Sequence, residues 1–264
     1  MLEIFFIFIT AGCASKLNWK GSLRTYTGID ENTEKYPYVV ALKTLHAGLH
    51  NICTGTLLTP QWVLSAAHCL EKVITHIQYG NMSVPLNRTD LKSEVLQMIQ
   101  HPRYNGLMSN DIGLLLVNPI TMTKYAKLSG VEYQTLSGLS AEYAGFGMIY
   151  FPTRKTYSKK KYIQLSENQP LVVGKAILRT CKEPFSANLM CLSSKCFEKQ
   201  INLPGDSGGP LILDNKIVGI ALAVAIELHV QAFTPTSSYI TWIRSIILPA
   251  HNEDKNSTVE VISQ

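Results

Sequence analysis

Apolar and polar positions along this chain come in short runs rather than in long helical stripes. Tyr38 to Leu45, Ile52 to Leu58, Trp62 to Ser65, Val73 to Tyr79, Glu94 to Gln100 and Ile112 to Val117 are each bounded by Gly, Pro, Asn or Ser, which predicts a series of strands. The same style returns at Tyr143 to Phe146, Pro170 to Ile177, Asn188 to Leu192, Pro210 to Leu213, Ile217 to Ile226 and Val230 to Thr234. Only near the end does the period change. Ser237 and Ser238 precede Tyr239, Ile240, Ile243, Ile246 and Ile247 at helical spacing, and Pro249 follows, which predicts a capped C-terminal helix. The class implied is all-β. Ile217 to Ile226 ends at Glu227 and His229 and is too short to cross a bilayer, so it is expected as a buried strand and no membrane span is expected.

A chain of 264 residues, 46% hydrophobic and only 16% charged, can bury one full core. Its glycines and prolines are scattered, so they punctuate many turns instead of forming a linker. The net charge of +5 is moderate. Its dense part, Arg154, Lys155, Lys159, Lys160 and Lys161 among Tyr150, Phe151, Tyr157 and Tyr162, has a composition that can bind nucleic acid or acidic polymers, but the reading favoured over that is a solvated loop. No specific nucleic-acid partner is expected. No C-x-x-C or H-E-x-x-H spacing occurs, so no metal or other cofactor is expected.

At the N-terminus, the apolar run Ile4 to Ala11 followed by Gly12, Cys13, Ala14 and Ser15 has the pattern of a signal peptide over residues 1–14. A short basic leader, 15–24, and a polar tail, 250–264, flank the strand-rich region 25–249. Secretion puts the cysteines in an oxidising compartment, and losing Cys13 from the six leaves an odd number. Acceptor patterns for glycosylation at Asn81, Asn87 and Asn256 agree with that compartment.

The sharpest chemical signal is Gly205-Asp206-Ser207-Gly208-Gly209-Pro210, a hydroxyl flanked by residues that let a ligand approach the backbone. Attack on an acyl group builds a negative oxygen, which the backbone N–H groups of Gly205 and Ser207 can receive only if no side chain intrudes at 205. The pentad also fits the G-x-S-x-G elbow of α/β-hydrolases, but Gly208-Gly209-Pro210 would break the helix that elbow needs. A serine hydroxyl needs a general base, and a histidine has the right pKa. His68 is delivered by the apolar run Trp62 to Ser65 to a turn of small residues before Cys69. Asp111 opens the apolar run Ile112 to Val117, so its carboxylate is drawn inward and needs a partner such as an imidazole N–H.

Leu64-Ser65-Ala66-Ala67-His68-Cys69, Ser109-Asn110-Asp111-Ile112-Gly113-Leu114-Leu115 and the Gly205 to Pro210 block resemble the three signature blocks of the chymotrypsin/trypsin-like serine proteases, in that family's order. Tyr36-Pro37-Tyr38, His101-Pro102-Arg103-Tyr104, Ala144-Gly145-Phe146-Gly147 and Trp242-Ile243 extend the resemblance over about residues 25 to 248. It implies two six-stranded antiparallel β-barrels with a C-terminal helix, and a triad of His68, Asp111 and Ser207 at their junction. It also implies disulfides Cys53–Cys69 and Cys181–Cys191, with no family partner for Cys196. The partners implied are a protein or peptide substrate, an activating protease and protease inhibitors.

Members of that family become active when a cut frees an N-terminus whose ammonium pairs with the aspartate beside the serine, here Asp206. Arg24 precedes Thr25-Tyr26-Thr27-Gly28, which stands where the family has Ile-Val-Gly-Gly. The substrate pocket departs further. Ile201 replaces the acid that selects Lys or Arg, Leu222-Ala223-Val224 replaces Ser-Trp-Gly, Gln231 replaces a wall glycine and Leu203 replaces a cysteine. The reading is a secreted serine endopeptidase with a non-tryptic pocket. The alternative is a catalytically weak homologue acting as a binding or regulatory module.

Overall fold

The computed structural model describes residues 31–44, 51–82, 84–106, 108–147, 169–182, 185, 188–194, 202, 204–225 and 230–248. The first-half runs form β1 (Val39–Lys43), β2 (Asn51–Leu57), β3 (Trp62–Ser65), β4 (His76–Gln78), β5 (Lys92–Gln100) and β6 (Gly113–Val117). They close into a barrel in the order β1-β2-β3-β6-β5-β4, with β4 pairing back onto β1. Closure removes the exposed edges that short amphipathic strands would otherwise leave. Strands β1 and β3 carry continuous apolar runs, and β1 is buried along its whole length.

The second half gives β8 (Ser140–Gly145), β9 (Val172–Thr180), β10 (Met190–Ser194), β11 (Pro210–Leu213), β12 (Lys216–Ala225) and β13 (Val230–Pro235). Their order β11-β8-β9-β10-β13-β12 is closed by the β11–β12 pairing, so this half is a second six-stranded antiparallel barrel, as the sequence implied. One addition escaped the pattern. A two-residue strand, β7 (Lys127–Leu128), runs parallel to the start of β12. It lies in the crossover, where Ala126 N donates to Leu57 O of the first barrel at 3.0 Å and Ser129 N to Ile217 O of the second at 2.9 Å. A two-residue strand has no periodicity to detect.

Near the C-terminus the chain enters a 3-10 turn at Ser237–Tyr239 and then α2 (Ile240–Ile247). The expected cap is corrected here. The residue preceding α2 is Tyr239, without a side-chain cap bond, so neither Ser237 nor Ser238 caps the helix. The helix is held by its buried face instead, with Ile243 fully buried and Trp242 edge-on to His101 at 4.9 Å between centroids. Pro249 lies outside the described residues. The main apolar cluster runs from the first barrel through Ala144, Phe146, Leu171, Ile212, Ile217 and Ile220 to Ile243, so it joins the first barrel to one face of the second and to α2, while Tyr143, Leu178, Leu192, Leu211 and Phe233 belong to a separate cluster of the second barrel.

A second tie crosses between the halves. The helical turn α1 (Glu31–Lys35), unforeseen in the sequence, places Lys35 Nζ 2.7 Å from Glu142 Oε2 of β8. The Tyr36 hydroxyl donates to the same oxygen, and Lys175 Nζ lies 3.2 Å from Oε1. Burial pushes the Glu142 carboxyl up, but the hydrogen bonds from Lys35, Tyr36 and Lys175 outweigh it and hold the group below its ordinary value. A depressed carboxyl stabilises the fold above its unfolded pKa and loses that contribution as pH falls through the folded value. Glu142→Gln is therefore expected to cost about 1 kcal/mol at neutral pH, in the range of charge-assisted pairs at a partly exposed site. In urea titrations the difference from wild type shrinks toward zero as the solution is acidified through the carboxylate range, and a constant difference at every pH would count against this tie.

Candidate active site at the barrel junction

Strand β3 ends at Ser65 and the chain turns through a 3-10 segment, Ala67–Cys69, that presents His68 with its side chain 25% exposed. The disulfide Cys53–Cys69 fixes the end of that turn to β2. Asp111 arrives from the other side, just before β6, with its side chain 1% exposed. Its Oδ2 lies 2.6 Å from His68 Nδ1 and its Oδ1 accepts the His68 backbone N–H at 2.7 Å. Both carboxylate oxygens are thus engaged by one residue, which satisfies a buried anion and fixes the ring about its own backbone.

The residue before Asp111 matters to that placement. Asn110 has φ 54°, in the left-handed region that asparagine tolerates, and its Nδ2 donates to Arg103 O at 3.1 Å. Its Oδ1 accepts the Tyr239 hydroxyl at 3.2 Å. From β13 the Thr234 hydroxyl donates to the Asp111 main-chain carbonyl at 3.2 Å. The second barrel therefore helps hold an acid contributed by the first.

Ser207 precedes β11 and is partly exposed. Its carbonyl accepts the Thr54 N–H of β2 at 2.8 Å and lies 3.6 Å from Cys69 Sγ, while His68 Nε2 lies 3.7 Å from the same sulfur. The serine's backbone and the free edge of the imidazole thus border one atom. Gly205 has φ +100°, and a Cβ there would fall 2.9 Å from Gly147 Cα, so glycine is required both by conformation and by space. Asp206 is 1% exposed, and its Oδ1 accepts Gly147 N–H at 2.9 Å.

The sequence profile described as Trypsin matches residues 26–243. The chain belongs to the trypsin family. That relationship places it among the serine-type endopeptidases, which are hydrolases. A trypsin of Phaedon cochleariae is 25% identical over 88% of this chain and 92% of that protein. A trypsin of Xenopus laevis is 29% identical over 80% of this chain and 85% of its own, and human granzyme M is 26% identical over 80% and 84%.

Against the trypsin-family expectation, His68 and Asp111 are joined, and Gly205, Asp206 and Ser207 lie together on the adjoining loop. Both expected disulfides, Cys53–Cys69 and Cys181–Cys191, are formed. Gln231 is fully buried, and its Oε1 accepts the Asn202 N–H at 2.8 Å. Leu222 sits where β12 slips register against β13, and it packs on the cluster around Cys181 and Cys191. The backbone of Val224 pairs with that of Gln231. Arg24, Thr25, Ile201, Leu203, Cys196, the Arg154 to Lys161 cluster and residues 1–14 lie outside the described residues. Sequence reasoning missed Thr54, Thr234, Asn202 and Tyr239, whose contacts are long-range and carry no local pattern. It singled out Asn110 only as a neighbour, although Asn before a buried Asp is itself a left-handed-turn signal.

Gly205→Ala is expected to lower stability by about 1 to 3 kcal/mol, since it adds a Cβ at positive φ against the Gly147 backbone. Urea denaturation measures this, and a variant as stable as wild type would show that the loop tolerates a side chain.

Proposed function

We propose that this chain is a secreted serine endopeptidase that works through His68, Asp111 and Ser207. The observation carrying the proposal is the imidazole held through Nδ1 by a buried carboxylate, with Nε2 3.7 Å from the Cys69 sulfur that the Ser207 carbonyl approaches to 3.6 Å. Ser207 Oγ attacks the scissile carbonyl carbon while its proton passes to His68 Nε2. Asp111 holds the tautomer and stabilises the imidazolium, and the N–H groups of Gly205 and Ser207 receive the carbonyl oxygen as it becomes negative. His68 then gives its proton to the leaving amine, the C–N bond breaks, and water repeats the sequence on the acyl-enzyme. No cofactor enters this scheme.

In this reading residues 1–14 are a signal peptide, 15–24 an activation segment cut after Arg24, 25–249 the protease domain and 250–264 a tail. The freed Thr25 ammonium would pair with Asp206, whose burial already favours a charged partner. Asn81 and Asn87 are exposed, as glycan acceptors must be. An activating protease and protease inhibitors would be its partners besides substrate.

The pocket is not tryptic. Gln231 takes up buried space that the family keeps for a substrate side chain, and its amide is tied to Asn202. Ile201 offers no charge to Lys or Arg. Substrates with a small residue before the scissile bond fit this best. The same observation favours a second reading, a weakly active homologue that binds or regulates other proteins.

A fluorophosphonate probe applied to the full chain cut after Arg24 separates the two. The endopeptidase reading expects covalent labelling that Ser207→Ala abolishes and that Asp111→Asn slows on the order of 10⁴-fold. A correctly cut, folded chain that takes no label would leave the binding-module reading. On a peptide library, cleavage after Ala or Gly is expected to exceed cleavage after Lys, Arg or Phe by at least about tenfold, the scale of one unpaired or misfitted side chain. A preference for Lys or Arg would refute the pocket assignment.

A further inference from the structure

Thr54 stands in β2 with no exposed surface, where the first barrel, the end of β8 and the Ser207 loop meet. Its hydroxyl both donates and accepts. Oγ1 donates to Gly205 O at 2.8 Å and accepts Phe146 N–H at 3.0 Å. Its N–H grips the same loop by donating to Ser207 O at 2.8 Å, while its carbonyl accepts Ser65 Oγ of β3 at 2.9 Å. Gly208 lies so close that a Cβ there would fall 2.5 Å from Thr54 O.

Gly205 has φ +100° and no side chain, so its own sterics leave its torsions loosely fixed. The direction of its N–H depends on what else fixes that residue. The Thr54 side chain and backbone do so together: the hydroxyl, its proton kept on Gly205 O by the Phe146 N–H, fixes the Gly205–Asp206 peptide plane, and the Thr54 N–H holds Ser207 O, so the segment carrying both amides is tied at each end. We propose that Thr54 is a positioning residue for the oxyanion-binding amides. It touches no substrate and acts by holding Gly205 in the conformation that aims its N–H at the developing charge.

This inference rests on the endopeptidase reading for its consequence and on geometry alone for the tether. The test compares wild type, Thr54→Ser, Thr54→Val and Thr54→Ala in the full chain cut after Arg24. The readouts are fluorophosphonate labelling rate, kcat and KM on a small-residue peptide, hydrogen exchange over residues 204–209, and Tm. Thr54→Ser should keep the labelling rate within about threefold, whereas Thr54→Val should lose on the order of 10- to 100-fold in labelling and kcat with KM little changed. Exchange at 204–209 should speed up in Val and not in Ser, with the barrel strands unaffected.

A purely structural role would lower Tm in Val but leave kcat and loop exchange at wild-type values well below Tm. That result would overturn the proposal. If Val fails to fold, Ala removes the same hydroxyl with room for relaxation and is judged by the same criteria. If wild type itself takes no label, the endopeptidase reading fails, and the tether still stands or falls on whether exchange at 204–209 follows the hydroxyl.

Discussion

Asp111 places a carboxyl group at 1% exposure, where an isolated carboxylate would cost several kcal/mol. The fold meets that cost with His68, which supplies both a ring nitrogen at 2.6 Å and its own backbone N–H at 2.7 Å. Much of the surrounding structure follows from keeping this pair intact. The β3 strand and the Cys53–Cys69 disulfide fix the histidine turn. On the acid's side, Asn110 takes a left-handed turn tied to Arg103 and Tyr239, and Thr234 holds the carbonyl of Asp111 itself. Tyr239 and Thr234 belong to the second half of the chain, so separating the barrels would loosen the first-barrel pair.

The junction is built from main-chain and hydroxyl groups more than from charges. Thr54 donates its N–H to Ser207 O and its hydroxyl to Gly205 O, and accepts from Phe146, so one residue of β2 binds two segments of the second barrel. Buried hydrogen bonds of this kind contribute modestly when made and cost more when one partner is removed. That asymmetry gives a single preferred arrangement of the Ser207 loop. Gln231 shows the same economy, a fully buried amide whose Oε1 accepts the Asn202 N–H.

The strands and the His68, Asp111 and Ser207 blocks were legible in the sequence because each depends on local pattern, and the family resemblance those blocks carry implied the two barrels. Alternating runs mark strands, a small-residue turn marks the histidine, and a glycine cluster marks the serine loop. Boundaries moved where pairing overrode pattern: Val73 to Tyr79 shrinks to His76–Gln78, and Pro170 to Ile177 becomes Val172–Thr180. The helix start moved because Ser237 and Ser238 lie in a 3-10 turn that delivers the chain to α2. Thr54 and Thr234 were invisible for a different reason. A threonine in a strand is ordinary, and only the fold brings its hydroxyl to residues far away in the chain.

The central claim is that His68 and Ser207 act as one catalytic unit, with Asp111 setting the histidine. The most direct test is the residual peptide hydrolysis of His68→Ala, Ser207→Ala and the double variant, all cut after Arg24. Residues that act as a unit are strongly non-additive. The account predicts that the double variant is no slower than either single variant, within about threefold. Losses that multiply would mean that the two side chains contribute independently, and would contradict it.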